Sequence, residues 1–240
     1  MTASGAQRID TNDPEADASP ERAAGSSGST RRRRWPLIAL AIVLVAGAAF
    51  AIGRFTTFGA VTGPNDADVG FARDMQVHHS QAVEMAMIEY AATSDEELRF
   101  TAYDIATSQA AQGGEMYGWL VDWGAPQYGT EPLMAWMQGT EHDHGGAVTP
   151  TATDAELREA MGMATDDQLA DLRAKAGTTA GDCLFVDLMV THHAGALEMV
   201  EAVRELGSDP RVHQVAGAMG ETQQREIEAM SAIADRLDCE

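Results

Sequence analysis

The chain has 240 residues, 45% of them apolar, and 16 basic against 37 acidic side chains give a formal charge of −21. That is enough length and apolar matter for a buried core. The acidity excludes nucleic acid as a partner, because such binding rests on Lys and Arg neutralising phosphates.

Residues 1–34 are rich in Ser, Gly, Ala, Asp and Glu and close on Arg31–Arg34, the composition of a disordered tail. Residues 35–53 carry no charge and are long enough to cross a bilayer as a helix. The arginines before this stretch place the tail in the cytoplasm and the remainder of the chain outside, anchored by a single pass. The alternative is a cleaved export signal, with "AFA" at Ala49–Ala51 as the small-residue site, which leaves a secreted domain. Residues 54–65 are a linker. Beyond Arg54, 9 basic and 32 acidic residues leave a charge of −23, unsuited to an anionic lipid surface.

The C-terminal part, 66–238, is a duplication at an offset of 114 residues. Asp68, Phe71, Met75, His78, His79, Ala82, Glu84 and Met85 fall on Asp182, Phe185, Met189, His192, His193, Ala196, Glu198 and Met199. Positions 68–120 contain 13 identities in 53, where chance gives about three at average residue usage. Repeat one (66–123) and repeat two (182–238) each read as a helical hairpin. The first helices are predicted to open at Asp68 and Asp182 as N-caps and to end near Thr93 and Gly207. The second helices are predicted over 96–123 and 210–237, with Pro210 at the first helical position. Two such hairpins pair most simply into an antiparallel four-helix bundle. The connection, 124–181, is predicted to hold two short helices, 154–161 and one capped by Thr165, and to lie across the outside of the bundle or cover one end.

On a wheel of about 100° per residue, Phe71, Met75, His78, His79, Ala82, Met85, Ala86 and Glu89 share one face, and Glu84 points away. The second copy repeats the face with Phe185, Met189, His192, His193, Ala196 and Met199. Four buried imidazoles and four thioethers form a soft to borderline ligand set, suited to Cu(I) first and to Cu(II) or zinc less well. Calcium and magnesium need oxygen ligands, and no Glu stands three residues before any of these histidines, as a di-iron bundle requires. The rival reading is a closed hydrogen-bond network in the core, with Gln109 and Gln223 as partners across each hairpin. Metal binding is expected to weaken as imidazoles protonate.

A second cluster in the connection, Met134, Met137, His142, Asp143 and His144, is a secondary metal candidate or an ordinary exposed loop. Cys183 and Cys239 fall at the same end of the second hairpin, where a disulfide is geometrically reasonable outside the cytoplasm. No Gly-rich phosphate loop, nucleophile elbow or zincin motif occurs.

The doubled Asp-x-x-Phe-x-x-x-Met-x-x-His-His-x-x-Ala pattern, each copy succeeded by a helix with Gln and Met, resembles the bacterial domain-of-unknown-function 305 family over about residues 66–238. "GMATDDQLADL" from Gly162 onward resembles it too. The resemblance implies a ferritin-like helical bundle in exported or anchored proteins, some of them copper-associated. Carried over by position, the ligands are Met75, His78, His79, Met85, Met189, His192, His193 and Met199. This chain departs from the pattern at Ser80 and Gln81, more polar than Ala194 and Gly195, and at Gly113 and Gly114, so the halves are expected to differ. The expectation is a non-enzymatic, copper-holding envelope protein, with a metal-delivery partner and oligomeric state left open.

Overall fold

The structure, a computed structural model, describes residues 35–56, 63–138 and 152–239. The chain divides into two compact units, 1–59 and 60–240. The first contains α1 (Trp35–Thr56), 22 residues, with its apolar side chains exposed from Trp35 to Phe50.

The second unit contains α2 (Asp66–Ala92), α3 (Glu96–Asp122), a 3-10 turn (Ala135–Met137), α4 (Asp154–Ala160), α5 (Asp166–Lys175), α6 (Thr179–Leu206) and α7 (Pro210–Leu237). No strand occurs among the described residues. α2 packs along α3 and α6 along α7, and the two hairpins meet chiefly where α2 lies against α6. Helix starts obey local chemistry: Asp95, Thr165 and Asp209 each accept a hydrogen bond from a backbone N–H of the first turn.

Two expected caps are displaced. α2 is capped by Asn65 and α6 by Thr178, while Asp68 and Asp182 lie inside the first turns and are buried. Asp68 reaches back to the Asn65 N–H at 2.9 Å, completing a capping box. The same carboxylate accepts from the Ser208 and Asp209 N–H groups at 3.0 and 3.1 Å. It therefore ties the start of one hairpin to the turn of the other, a second duty that local sequence does not announce. The repeat also extends to helix ends. Arg99 donates to the Thr93 carbonyl and His213 to that of Gly207, different side chains closing the same carbonyl 114 residues apart.

The core divides into two apolar clusters. One gathers Phe71, Met75, Met116, Ala196 and Met199; the other holds Ala82, Met85, Phe185, Met189 and Met230. Along α2 and α6 the histidine pairs fall between them. The connection does more than cover the two hairpins. Met134, Met137, Met161 and Met163 enter the first cluster, and Leu169 and Leu172 enter the second. Cys183 and Cys239 form a disulfide with Cα atoms 5.5 Å apart, joining the start of α6 to the end of α7. A covalent loop of 56 residues contributes about 2–4 kcal/mol by restricting the unfolded chain.

At one end of α2, Glu89 is fully buried beside Asp182, with no hydrogen-bond partner among the described residues for either carboxyl oxygen, so its neutral form is favoured. Burial, then the Asp182 contact, pushes Glu89 up to about 8. Asp74, raised by burial to about 6, shifts the same way at lower pH. The folded state thus holds a proton that the unfolded chain releases above the ordinary carboxylate range, and stability falls as pH rises toward 8. The buried histidines act oppositely, but only below their unfolded value of 6.5. Between pH 6.5 and about 8 the thermal midpoint should therefore decline, and Glu89→Gln should flatten that decline in calorimetry. An unchanged slope in the variant would remove Glu89 as its source.

Candidate metal centre

Where α2 crosses α6, the rings of His78 and His192 stack with centroids 3.6 Å apart and planes 34° from parallel. His79 and His193 sit beside them, their centroids 6.4 and 6.3 Å from His78 and His192. All four side chains are at most 1% exposed. Neighbours on a helix point about 100° apart. One imidazole of each pair therefore faces the other hairpin, and the second faces the outer helix of its own.

Each ring spends its Nε2–H on a distinct acceptor. His79 donates to Gln112 Oε1 of α3 and His193 to Glu226 Oε2 of α7, both at 2.8 Å. His192 donates to the His78 carbonyl at 3.1 Å, and His78 to the Met161 carbonyl at 3.0 Å. A carbonyl or carboxylate only accepts, so each Nε2 carries a hydrogen, and wherever the ring is neutral Nδ1 is left with a bare lone pair. None of the four Nδ1 atoms has a hydrogen-bond partner. Burial keeps three of these rings neutral: it lowers His78 to about 3 and His79 to about 4, and puts His192 well below the usual imidazole range. A neutral imidazole with one N–H anchored and the other nitrogen bare is the state in which histidine ligates metal.

The Met161 carbonyl reaches His78 because the two repeats differ there. Gly195 lets the loop before α5 press on α6: a Cβ at that position would lie 1.9 Å from the Met161 oxygen. Its counterpart in repeat one, Gln81, clamps the same loop with its amide, donating to the Ala164 carbonyl at 2.9 Å and accepting from its N–H at 2.7 Å. A second tie holds the other part of the connection. Asp74 accepts from the Met134 N–H and the Trp136 indole N–H, and Trp136 lies against Gly70, where a Cβ would meet the ring at 2.4 Å.

Of the eight residues singled out from the sequence, the four histidines form one layer. The methionines do not join it as one set, because antiparallel packing pairs Met75 with the Met199 end and Met85 with the Met189 end, in different clusters. The connection adds to the first cluster, which holds Met75, Met116, Met134, Met137, Met161 and Met163 besides Met199 and Met219. His142, Asp143 and His144 lie outside the described residues. Among the described residues, no three His, Cys, Asp or Glu side chains converge on one point.

The glutamine partners are corrected. Gln109 and Gln223 are 2% exposed, and their amides make no hydrogen bond; the acceptors stand one turn further on, at Gln112 and Glu226. Residues three apart share a helix face, so the wheel admitted both choices. The 114-residue register did align Gln112 with Glu226, and that was the available signal. The difference makes the halves chemically unequal, since a carboxylate behind an imidazole strengthens it as a metal ligand more than an amide does.

These features define a class: an all-helical, internally duplicated domain closed around a layer of buried imidazoles. The sequence profile of the Domain of unknown function (DUF305) matches residues 68–234, and the chain belongs to that family. Among curated proteins none matches it. Among solved structures, a DUF305 protein from Streptomyces coelicolor, described as secreted, is 36% identical with a TM-score of 0.61, covering 72% of this chain and 94% of that one. A DUF305 fragment from Deinococcus radiodurans is 25% identical with a TM-score of 0.59, covering 72% and 98%. CopM in its Cu(II)-bound form is 24% identical with a TM-score of 0.50, covering 70% and 96%, a likeness of fold.

Gly195→Ala should displace the Met161 loop. Overpacking of about 1–3 kcal/mol outweighs the roughly 1 kcal/mol that alanine gains over glycine in a helix. Gly217→Ala, where nothing lies within 4 Å of the new Cβ, should raise the melting temperature instead. Equal shifts in the two variants would refute the close contact.

Proposed function

We propose that this protein is a membrane-anchored, extracytoplasmic four-helix bundle that takes up copper as Cu(I), for sequestration or handover, with no catalysis of its own. The carrying observation is the layer of four buried imidazoles, each with Nε2–H engaged and Nδ1 bare. Thioethers flank the layer on both sides, and soft thioether with imidazole favours Cu(I) over harder cations. Two unpartnered buried amides, Gln109 and Gln223, add polar atoms in search of a partner. CopM carries copper in both of its oxidation states in solved structures, and it shares the fold. An anchor is supported by α1, whose 22 residues rise about 33 Å. The disulfide supports an oxidising compartment. Cleavage of α1 and release of the bundle is the alternative.

A second reading has its own support: every imidazole is already hydrogen-bonded, and the stacked pair packs as core. On that reading the histidines are architecture, and the bundle is a structural or interaction module.

The full chain in detergent, titrated anaerobically with Cu(I) against a chromogenic competitor and with Zn(II) in parallel, separates the two. Copper binding gives saturable Cu(I) uptake that His192→Ala with His193→Ala removes. Because burial lowers His78 and His79 to about 3 and 4, uptake should persist at about pH 5 and fall only near those values. Absence of uptake by the unmodified chain favours the architectural reading.

A further inference from the structure

α3 buries one side in its hairpin and leaves the other bare. Phe100, Tyr103, Thr107 and Ala110 begin an exposed stripe with alternating steps of three and four residues. Gly114, Tyr117 and Val121 continue it, and no charge interrupts it. Phe100 is 69% and Val121 57% exposed, too open to serve this molecule's own core. Tyr103 touches Tyr90 of α2, ring centroids 5.6 Å apart, so the apolar surface extends to the neighbouring helix.

The duplication supplies an internal control. Positions 114 residues further on, in α7, pack in the same way but carry Gln214 for Phe100, Glu221 for Thr107, Glu228 for Gly114 and Asp235 for Val121. Arg204 stands for Tyr90. The fold therefore tolerates an ordinary solvated face here, and the apolar stripe answers to something else. Its centre is also small. Gly114 and Gly118 have nothing within 4 Å of an added Cβ, so no contact within the chain requires them. Glycine inside a helix is destabilising relative to alanine, but it permits close approach of another helix. A stripe with period 3.5, bulky at its ends and hollow at its centre, matches a helix whose large side chains sit over the hollow.

Charge selects the occupant. Glu97, Asp104, Glu115 and Asp122 form an exposed row beside the stripe, within about 20° of one line; its ends pair with Arg236 and Arg211 of α7, and Asp104 and Glu115 hold its middle. A second copy would bring that row, and a net charge of −21, against its like. A partner with lysines or arginines along one edge meets it with opposite sign. We infer that the outer face of α3 docks an amphipathic helix of a basic protein partner. Its bulky apolar side chains lie over Ala110, Gly114 and Gly118, and its cationic edge lies along the acidic row.

The test uses the full chain in detergent and two synthetic three-heptad helical peptides with leucine at the apolar positions, one edged with lysine and one with glutamate. The lysine-edged peptide should bind in calorimetry and the glutamate-edged one should not. Gly114→Leu should weaken binding at least tenfold without lowering the melting temperature, whereas Gly217→Leu on α7 should leave binding unchanged. Asp104→Lys with Glu115→Lys should exchange the preference between the peptides. The inference is overturned if neither peptide binds, if both bind equally, or if Gly114→Leu or the charge reversal has no effect. It is overturned equally if sedimentation shows a dimer of the unmodified chain that Gly114→Leu dissolves, since the occupant is then a second copy.

Discussion

Burying four imidazoles in one layer is the constraint on which the rest of the helical domain depends. An apolar interior disfavours their charged form, and each ring then needs an acceptor for its one N–H. The acceptors come from Gln112 on α3, Glu226 on α7, the α2 backbone at His78 and the connection at Met161. Both hairpins and the chain between them are therefore committed to the same layer. Loss of any one contact leaves a buried polar atom unpaired, which is costlier than the hydrogen bond is worth. The stacked His78–His192 pair lies where the hairpins meet most closely, so the chemistry and the hairpin interface are one structure.

The duplication separates what the fold requires from what each half has acquired. Phenylalanine, methionine, paired histidines and alanine recur because antiparallel pairing of α2 with α6 asks the same of both helices. Differences mark specialised contacts. Gln81 clamps a loop that Gly195 admits, and Gln112 gives way to the carboxylate of Glu226. Asp74 holds the Met134–Trp136 turn where the second copy has Leu188. These substitutions make room for the connection on one side only. The methionine-rich cluster is accordingly confined to one end of the core.

Much of this was legible in advance because it depends on periodicity. Histidines and methionines at helical spacing named a buried face, and Phe71 through Glu89 are buried on it. What periodicity cannot supply is depth along an axis and choice between neighbours on one face. The wheel put Met75 and Met85 together with the histidines, yet they lie on opposite sides of the layer because α2 and α6 run antiparallel. It could not separate Gln109 from Gln112. Asp68 read as a cap and is one turn member among several partners, since its carboxylate also serves residues 140 positions away.

The sequence by itself determined the duplication, the helices, their buried faces, the family and the residue types able to hold a soft cation, because all of these rest on local spacing and side-chain chemistry. Tertiary structure alone decided which nitrogen of each histidine is anchored, where the methionines divide, and that Met134, Met137 and Met161 leave the connection for the core. Those outcomes depend on contacts between segments far apart in the chain. There, a missing Cβ at Gly70 or Gly195 matters more than any local preference, and only the packed chain shows what stands opposite.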